Sequence, residues 1–391
     1  MQTLIELYDE RPLENVLGAE VFRPEQVVYV CPESAFRNHR LKQKLQNFFT
    51  HRGIRVKLLF EKVSVFDAEA VLCLLRRVVE EHPDCAMDIT GGTDAVLFAA
   101  GLLSAEKNLP AFTYSRRKNS FYDIRHADFA RALPCKLAYT VEDQFLMAGG
   151  AMRQGRVDNE VLAQYLDLVE PFFRFYLRRR RGWTTLVTYI QRLSPTGPEG
   201  EVDLQAKGRY TVKGERGNPI SAPEDALREL EQIGMLQELE IVPDETVSFR
   251  FPDGQIRAFL RDVGSVLELY VYKACLDLGC FDDVRLSAIV DWEGENRRGA
   301  VSNELDVVCT KGVIPFFISC KTCDAKTESL NELAILRDRF GGEMARSAIV
   351  TAERAGAALR NRAAELNISV IDLSDLTAGR LPQRLRRLIG K

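Results

Sequence analysis

The sequence predicts an α/β chain made of two strand–helix domains joined by a helical and hairpin connector. Residues 1–140 alternate short Val-, Ile- and Tyr-rich runs with amphipathic segments, the pattern of a mostly parallel sheet covered on both faces. Residues 141–255 change to a helix-period stretch, a loop rich in Gly, Pro and charge, and then a helix–strand–turn–strand order. Residues 256–391 return to alternation as helix, three strands, helix, strand, helix, strand. A chain of 391 residues exceeds one ordinary core, so several domains are expected. Hydrophobic content of 46% and charged content of 28% fit a folded globular protein. The net charge of −3 excludes a general basic coat, so any nucleic-acid contact must come from clustered Lys and Arg.

In order, QVVYVC (26–31) reads as the first buried strand, and the segment after it as a loop and a helix ending at Gly53. IRVKLLFEKV is a second strand. A helix follows with Asp67 as N-cap and Pro83 as its stop. CAMDIT is a third strand that runs into GGT and the apolar helix DAVLFAAGLLSAEKN. PAFTYSR and NSFYDIR read as a hairpin or strand pair. The connector opens with a helix interrupted by Pro171, and its later part resembles a small winged-helix-like unit. In the C-terminal segment, IRAFLRDVGSVLELYVYKACLDLG reads as one long helix, GENRRGAV as a polar turn, and ISVIDLS as the last strand.

Polar residues interrupt this C-terminal pattern where strands should stay apolar. Glu268 lies in the helix, Glu304 and Asp306 share one strand at i and i+2, and Ser319 and Lys321 share the next at the same spacing. Alternation puts each pair on one side of its strand. Carboxylates in such a set can hold Mg²⁺ or Mn²⁺ through hard oxygen ligands. A lysine beside them can orient water or stabilise a phosphorane-like transition state. A buried Asp306–Lys321 ion pair of purely structural use would read the same way.

NELDVV followed by FISCKT resembles the PD-(D/E)XK superfamily, and more closely the nuclease domain of CRISPR ancillary nucleases, over roughly residues 260–385. The resemblance implies a restriction-endonuclease-like domain. It makes Glu268 and Asp306 metal ligands and Lys321 the catalytic lysine, with Glu304 helping to bind metal or water. Ser319 stands where the motif usually has Glu or Asp, which leaves the number of metals open. Glu332 on the next helix is read as either near the site or solvated.

In the N-terminal segment, MDITGGTDAV sets a Gly-Gly pair between a strand end and a helix start. A glycine turn admits a phosphate, and a helix N-terminus offers free N–H groups. Thr90 and Thr93 add hydroxyls, and the polar loop with Ser34 and Arg37 is aimed at the same sheet edge, where doubly wound folds bind ligands. Neither G-x-G-x-x-G nor a Gly-Lys-Ser/Thr loop is present, which disfavours nicotinamide binding and ATP hydrolysis. Together with the nuclease motif, residues 1–140 resemble the CARF domain, a Rossmann-like sensor. This resemblance implies a cyclic oligoadenylate ligand, cyclic tetra-adenylate in particular, held across the two-fold axis of a homodimer. Ser34, Thr90, Gly91, Gly92 and Thr93 would contact it. Arg116, with Arg117 and Lys118, either reaches its phosphates or belongs to a solvated turn.

The expected function is thus a cyclic-oligoadenylate-activated, metal-dependent nuclease cutting DNA or RNA in type III CRISPR antiviral defence. The rival is a ligand-responsive nucleic-acid-binding regulator with an inactive nuclease fold, kept open by Ser319. The basic run RRRRGW (178–183) is read as a nucleic-acid contact or as a charged helix end. His39, His51, His82 and His126 have no triad context, and Cys320-x-x-Cys323 has no second pair at zinc-site spacing. No membrane association is expected, and MQTLIELYDE carries acids where a secretory leader has bases, so a cytoplasmic location is expected.

Overall fold

The computed structural model describes residues 1–37, 40–153, 157–195, 202–294 and 301–390. His39, residues 196–201 of the Gly- and Pro-rich stretch, and residues 295–300 of the polar turn lie outside the described residues.

The N-terminal sheet begins one strand earlier than the sequence reading. Thr3–Leu7 forms β1, buried at all positions, with Glu6 in its middle; that carboxylate interrupts the apolar run and hides the strand from a hydrophobicity scan. Gln26–Cys31 (β2), Lys57–Lys62 (β3), Cys85–Asp88 (β4) and Ala111–Ser115 (β5) follow, then Ser120–Arg125 (β6) and Leu133–Pro134 (β7). The sheet order is β3-β2-β1-β4-β5-β6-β7. Strands β1 to β5 are parallel, and β6 and β7 add antiparallel. The chain reverses direction across the sheet between β1 and β4, the crevice where such folds take ligands. The helices are α1 (Leu17–Phe22), α2 (Glu33–Arg37), α3 (Leu41–His51), α4 (Ala68–Glu81) and α5 (Asp94–Lys107). Asp67 caps α4 by accepting from the Glu69 and Ala70 N–H groups, as its position predicts.

The boundaries drawn at 140 and 255 do not interrupt the packing. Thr140 and Asp143 form a capping box on α6 (Val141–Met147), whose Val141, Phe145 and Ala148 pack with Ala288, Val290 and Leu305 of the C-terminal domain. Ala151–Arg153 (β8) then joins the C-terminal sheet, in order β18-β17-β16-β15-β14-β8. Arg52, at the C-cap of α3, bonds both Glu20 and Asp143, tying the N-terminal domain to α6.

The connector holds α7 (Asn159–Leu162), α8 (Leu166–Arg179) and α9 (Trp183–Leu193), then β9 (Gln205–Arg209), β10 (Thr211–Lys213) and β11 (Pro219–Ser221). After them come α10 (Glu224–Ile233), β12 (Gln237–Val242) and β13 (Thr246–Arg250), with the sheet order β12-β13-β9. Pro171 does not interrupt α8. It lies inside the helix, where it forfeits one backbone hydrogen bond, and the neighbouring Phe172, Phe173, Phe175 and Tyr176 bury the helix regardless. One core runs from Leu162 through the connector to Leu388.

The long C-terminal helix of the sequence reading is two: α11 (Gly254–Leu260) and α12 (Ser265–Asp277). Asp262 accepts from the N–H and hydroxyl of Ser265, which starts α12 afresh and puts Glu268 in its first turn. Then come β14 (Asp283–Asp291), β15 (Ser302–Lys311), β16 (Ile314–Lys321), α13 (Thr327–Gly341), β17 (Arg346–Thr351), α14 (Ala357–Glu365) and β18 (Ile368–Ile371). This is the predicted order. Helices α15 (Leu373–Thr377) and α16 (Leu381–Gly390), unassigned in the sequence reading, close the chain.

Candidate active site and candidate sensor edge

The C-terminal strands part at Asp306. The β14–β15 ladder pairs Leu286 with Val307 and Ala288 with Leu305 but skips the pair between them, where Ser287 is left-handed at φ 54°. The β15–β16 ladder stops at Val307↔Ile318. The Asp306 carboxylate fills the gap: it accepts from the Cys320 N–H at 2.6 Å and the Ser319 hydroxyl at 3.1 Å, with Lys321 Nζ at 3.7 Å. Glu304 accepts a short hydrogen bond from the Ser287 hydroxyl. Glu268 folds back over Gly264, where a Cβ would lie 2.9 Å from its Oε1.

Burial and the neighbouring carboxylates of Asp306, Asp262 and Glu304 push Glu268 up to about 8. Burial likewise raises Asp306 above the usual carboxylate range, against the pull of Lys321 and the two hydrogen bonds. The structure therefore brings Glu268, Glu304, Asp306, Ser319 and Lys321 into one cluster. Glu332 lies at its margin, accepting from Asn303. Asp262, not singled out in the sequence, belongs to the same carboxylate group; its signal was its position three residues before Ser265, a helix start that the long apolar run conceals. Cys320 is buried and Cys323 exposed.

Among the described residues, no three His, Cys, Asp or Glu side chains stand at metal-ligand spacing. The donor set still fits a hard divalent cation. Mg²⁺ is held by one or two carboxylates, with water and substrate phosphates completing its shell, and Glu268 and Asp306 are two oxygen donors whose charged forms are destabilised where they stand. A cation between them would relieve that cost.

At the N-terminal sheet, the loops after β1, β4 and β5 meet on the carboxyl edge. The sequence reading gave Gly91 and Gly92 to a ligand phosphate; here their missing side chains serve the fold. A Cβ on Gly91 would lie 2.8 Å from Asp9 Cβ and 2.9 Å from the Leu7 carbonyl oxygen, and Gly92 takes φ +105° against Leu7. The Thr90 hydroxyl gives Asp88 a short hydrogen bond and accepts from the Tyr114 N–H, and the Thr93 hydroxyl donates to the Val65 carbonyl. Both threonines thus fix the loop. Ser34 is exposed, and the first turn of α5 has no side-chain cap.

Arg116 is not a solvated turn residue. It bonds buried Glu14 and, at 3.0 Å, Glu343 of the C-terminal domain. Asp9 and Arg11, absent from the sequence reading because β1 was, complete the edge. Asp9 bonds Arg11 and the Gly92 N–H, and Arg11 also reaches Glu343 at 3.3 Å. Burial opposes ionisation of Asp9, but the bonds and charge of Arg11 outweigh it and hold the carboxyl below its ordinary value.

Beneath the loop, Glu6 and Asp88 are cross-strand neighbours, both fully buried. Neither Glu6 carboxylate oxygen nor Asp88 Oδ2 has a hydrogen-bond partner among the described residues. Gly18 of α1 makes room, since a Cβ there would lie 2.5 Å from Asp88 Oδ2. Burial raises Asp88 to about 7 despite the Thr90 bonds, and burial with the Asp88 charge drives Glu6 well above its usual range.

Fold and centre together define a class: an α/β protein with a Rossmann-like N-terminal sheet and a C-terminal mixed sheet whose parted strands carry a carboxylate–lysine cluster. More particularly, residues 254–388 match the family of Card1-like endonuclease domains, so the C-terminal third carries that domain. No curated protein matches the chain. Among solved structures, protein VC1899 from Vibrio cholerae aligns at TM-score 0.73 and 16% identity, over 98% of this chain and 97% of that one. Can2 from Sulfobacillus thermosulfidooxidans, solved with cyclic tetra-adenylate, aligns at 0.70 and 17%, over 99% of each chain. A type III CRISPR defence DNA nuclease activated by cyclic oligoadenylate aligns at 0.50 and 19%, over 91% of this chain and 46% of that one. At these identities the likeness to the solved structures is one of fold.

Proposed function

We propose that this protein is a cyclic-oligoadenylate-activated, metal-dependent nuclease of type III CRISPR defence, cutting DNA or RNA. The observation that carries the reading is the convergence of Glu268, Asp306 and Lys321 at the split between β15 and β16, inside the segment that matches the endonuclease family. Glu268 and Asp306 would hold Mg²⁺ or Mn²⁺, with Glu304 beside them. Bound there, the cation would lower the pKa of a water and neutralise phosphate charge. The Cys320 N–H and the Ser319 hydroxyl keep Asp306 oriented toward the centre. Lys321, drawn to Asp306 and half-buried, is placed to hold the attacking water or the charge that develops on the phosphate.

The regulatory half of the reading rests on the carboxyl edge of the N-terminal sheet. Ser34, the uncapped first turn of α5 and Arg116 line it, and Thr90, Gly91, Gly92 and Thr93 shape the loop between them. Cyclic tetra-adenylate is the ligand proposed, by likeness to the fold of Can2. A two-fold ring suits an isologous homodimer. Among the described residues no helix is long and apolar enough to cross a membrane. The carboxyl edge reaches the nuclease domain through Arg11 and Arg116, which share Glu343. A phosphate that draws Arg116 away from Glu343 would favour a different arrangement of the two domains, the differential contact a switch needs.

The test is cleavage of plasmid DNA and single-stranded RNA by the full-length protein with activator, in Mg²⁺, Mn²⁺ or EDTA. Cutting in metal and none in EDTA supports the reading. Cutting that persists in EDTA, or none in any condition, overturns it; folded protein that binds nucleic acid without cutting leaves the regulator.

A further inference from the structure

The run Arg178–Arg181 divides into two uses. Arg178 and Arg179 both bond Glu229 of α10, which makes them struts between α8 and α10. Arg180 and Arg181 stand at the elbow between α8 and α9, and that elbow is fixed against the nuclease centre. The indole N–H of Trp183 donates to the Val263 carbonyl at 3.0 Å, just before α12 begins. Phe173 stacks on Tyr270 at a centroid distance of 3.7 Å. Phe173 of α8 and Trp183 at the start of α9 thus hold α12 at Tyr270 and just ahead of its first turn, which carries Glu268.

On the other side, Arg180 bonds Glu353 at 3.2 Å. Glu353 follows by two residues Thr351, the strand partner of Lys321, and the intervening Ala352 N–H donates to the Lys321 carbonyl at 2.9 Å. Arg180 therefore stands between the helix end that bears Glu268 and the strand end that bears Lys321. Tyr176, one turn earlier, is fully buried with its hydroxyl unpartnered among the described residues, near enough to feel the charges of both Arg180 and Glu353. Arg181 is exposed and makes no ion pair among the described residues, and the same holds for Lys326 and Arg354, in the turns that follow β16 and β17 at this end of the sheet. A chain of net charge −3 thus keeps a group of cations without partners beside its carboxylate cluster, where counterion release on phosphate binding is available to drive association.

We infer that the α8–α9 elbow and the turns after β16 and β17 form the rail that grips the phosphates of the nucleic-acid strand cut at the centre. Arg181, Lys326 and Arg354 contact phosphates directly. Arg180, held by Glu353, is a positioning cation that steadies the elbow beside the strand end of Lys321. The inference rests on the nuclease reading and says where its substrate lies. Contacts of this kind are blind to sequence, so the rail weakens binding to all sequences alike when it is removed.

The experiment uses the full-length protein as wild type, Arg181→Glu, and the double variant Arg180→Ala with Arg181→Ala. Binding of fluorescein-labelled oligonucleotides, single- and double-stranded DNA and RNA, is followed by anisotropy over a salt series, with Ca²⁺ in place of Mg²⁺. Arg181 makes no ion pair among the described residues, so Arg181→Glu should keep the fold. It should weaken binding roughly tenfold and raise KM with kcat little changed. The double variant should also lower the slope of log affinity against log salt by about 0.7 to 0.9, the share of the one phosphate contact made by Arg181. Binding of cyclic tetra-adenylate should be unaltered in both. A wild type that binds and cuts, with both variants matching it in affinity and salt slope, overturns the rail and leaves the nuclease standing. A wild type that binds no nucleic acid overturns both.

Discussion

The sensor edge and the nuclease centre both crowd carboxylates where water is scarce, and they settle the resulting charge differently. At the nuclease centre, Glu268 and Asp306 face Lys321, in a group still half-open to solvent. Their raised pKa values describe a site that would take up a cation. At the sensor edge, Glu6 and Asp88 are sealed below the loop with no ion pair among the described residues; burial drives both toward the protonated form, and Asp88 spends its other oxygen on Thr90. Above them the edge carries a linked set of ion pairs: Asp9 with Arg11, Glu14 with Arg116, and both arginines with Glu343. An open carboxylate group suits chemistry, whereas a sealed pair under a loop of paired charges suits a part that must keep one shape until a ligand outbids its internal bonds.

The largest effect expected from this contrast is on turnover. Asp306→Ala or Lys321→Ala should lower cleavage by on the order of 10²–10³-fold, with thermal unfolding and activator binding little changed; a variant cutting at the wild-type rate would remove the centre from the chemistry. Next comes the loop. Gly91→Ala would drive a methyl group against the Leu7 carbonyl and Asp9, costing about 1–3 kcal/mol of stability, readable as a drop in urea midpoint. A neutral result would mean that the loop is looser than drawn.

The sealed pair gives a pH signature. Asp88 has its folded pKa raised to about 7, so the folded state holds a proton that the unfolded chain has released above the usual carboxylate range. Stability should therefore fall as pH rises toward 7, by about 1.4 kcal/mol per pH unit for one proton. Asp88→Asn should remove its one-proton share of that slope and leave the share of Glu6, and an unchanged slope would place the proton elsewhere. The smallest effect belongs to the link between the regions. Glu343 is 64% exposed, so Glu343→Gln should leave stability nearly intact while raising cleavage without activator about fivefold, the low end of ordinary coupling energies. Basal cleavage equal to the wild type would sever the link.

Much of this was legible in the sequence. The element order of the C-terminal domain could be read from its apolar periodicity, and Asp306 and Lys321 drew notice because charges at strand spacing stand out against apolar neighbours. The edge of the N-terminal sheet was harder. Glu6 concealed β1, and with it Asp9 and Arg11, because a buried carboxylate looks like a surface residue until its cross-strand partner is known. Gly91 and Gly92 were read for what they might admit; they also avoid a clash with Leu7 and Asp9 that is visible only once β1 is in place. The break between α11 and α12 was masked by a continuous apolar run, although Asp262 and Ser265 carry its capping signal. The long-range pairs, Arg116 with Glu343 and Arg180 with Glu353, have no sequence signature, since more than a hundred residues separate each pair.

The central claim is that a ligand at one edge governs chemistry at the other. Its most direct test is the initial rate of plasmid and single-stranded RNA cleavage by the full-length protein in Mg²⁺, measured across a titration of cyclic tetra-adenylate. The account predicts a rate near background without the ligand and a saturable rise with it, at concentrations matching its directly measured binding. Equal rates with and without the ligand, in protein shown to bind it, would contradict the switch.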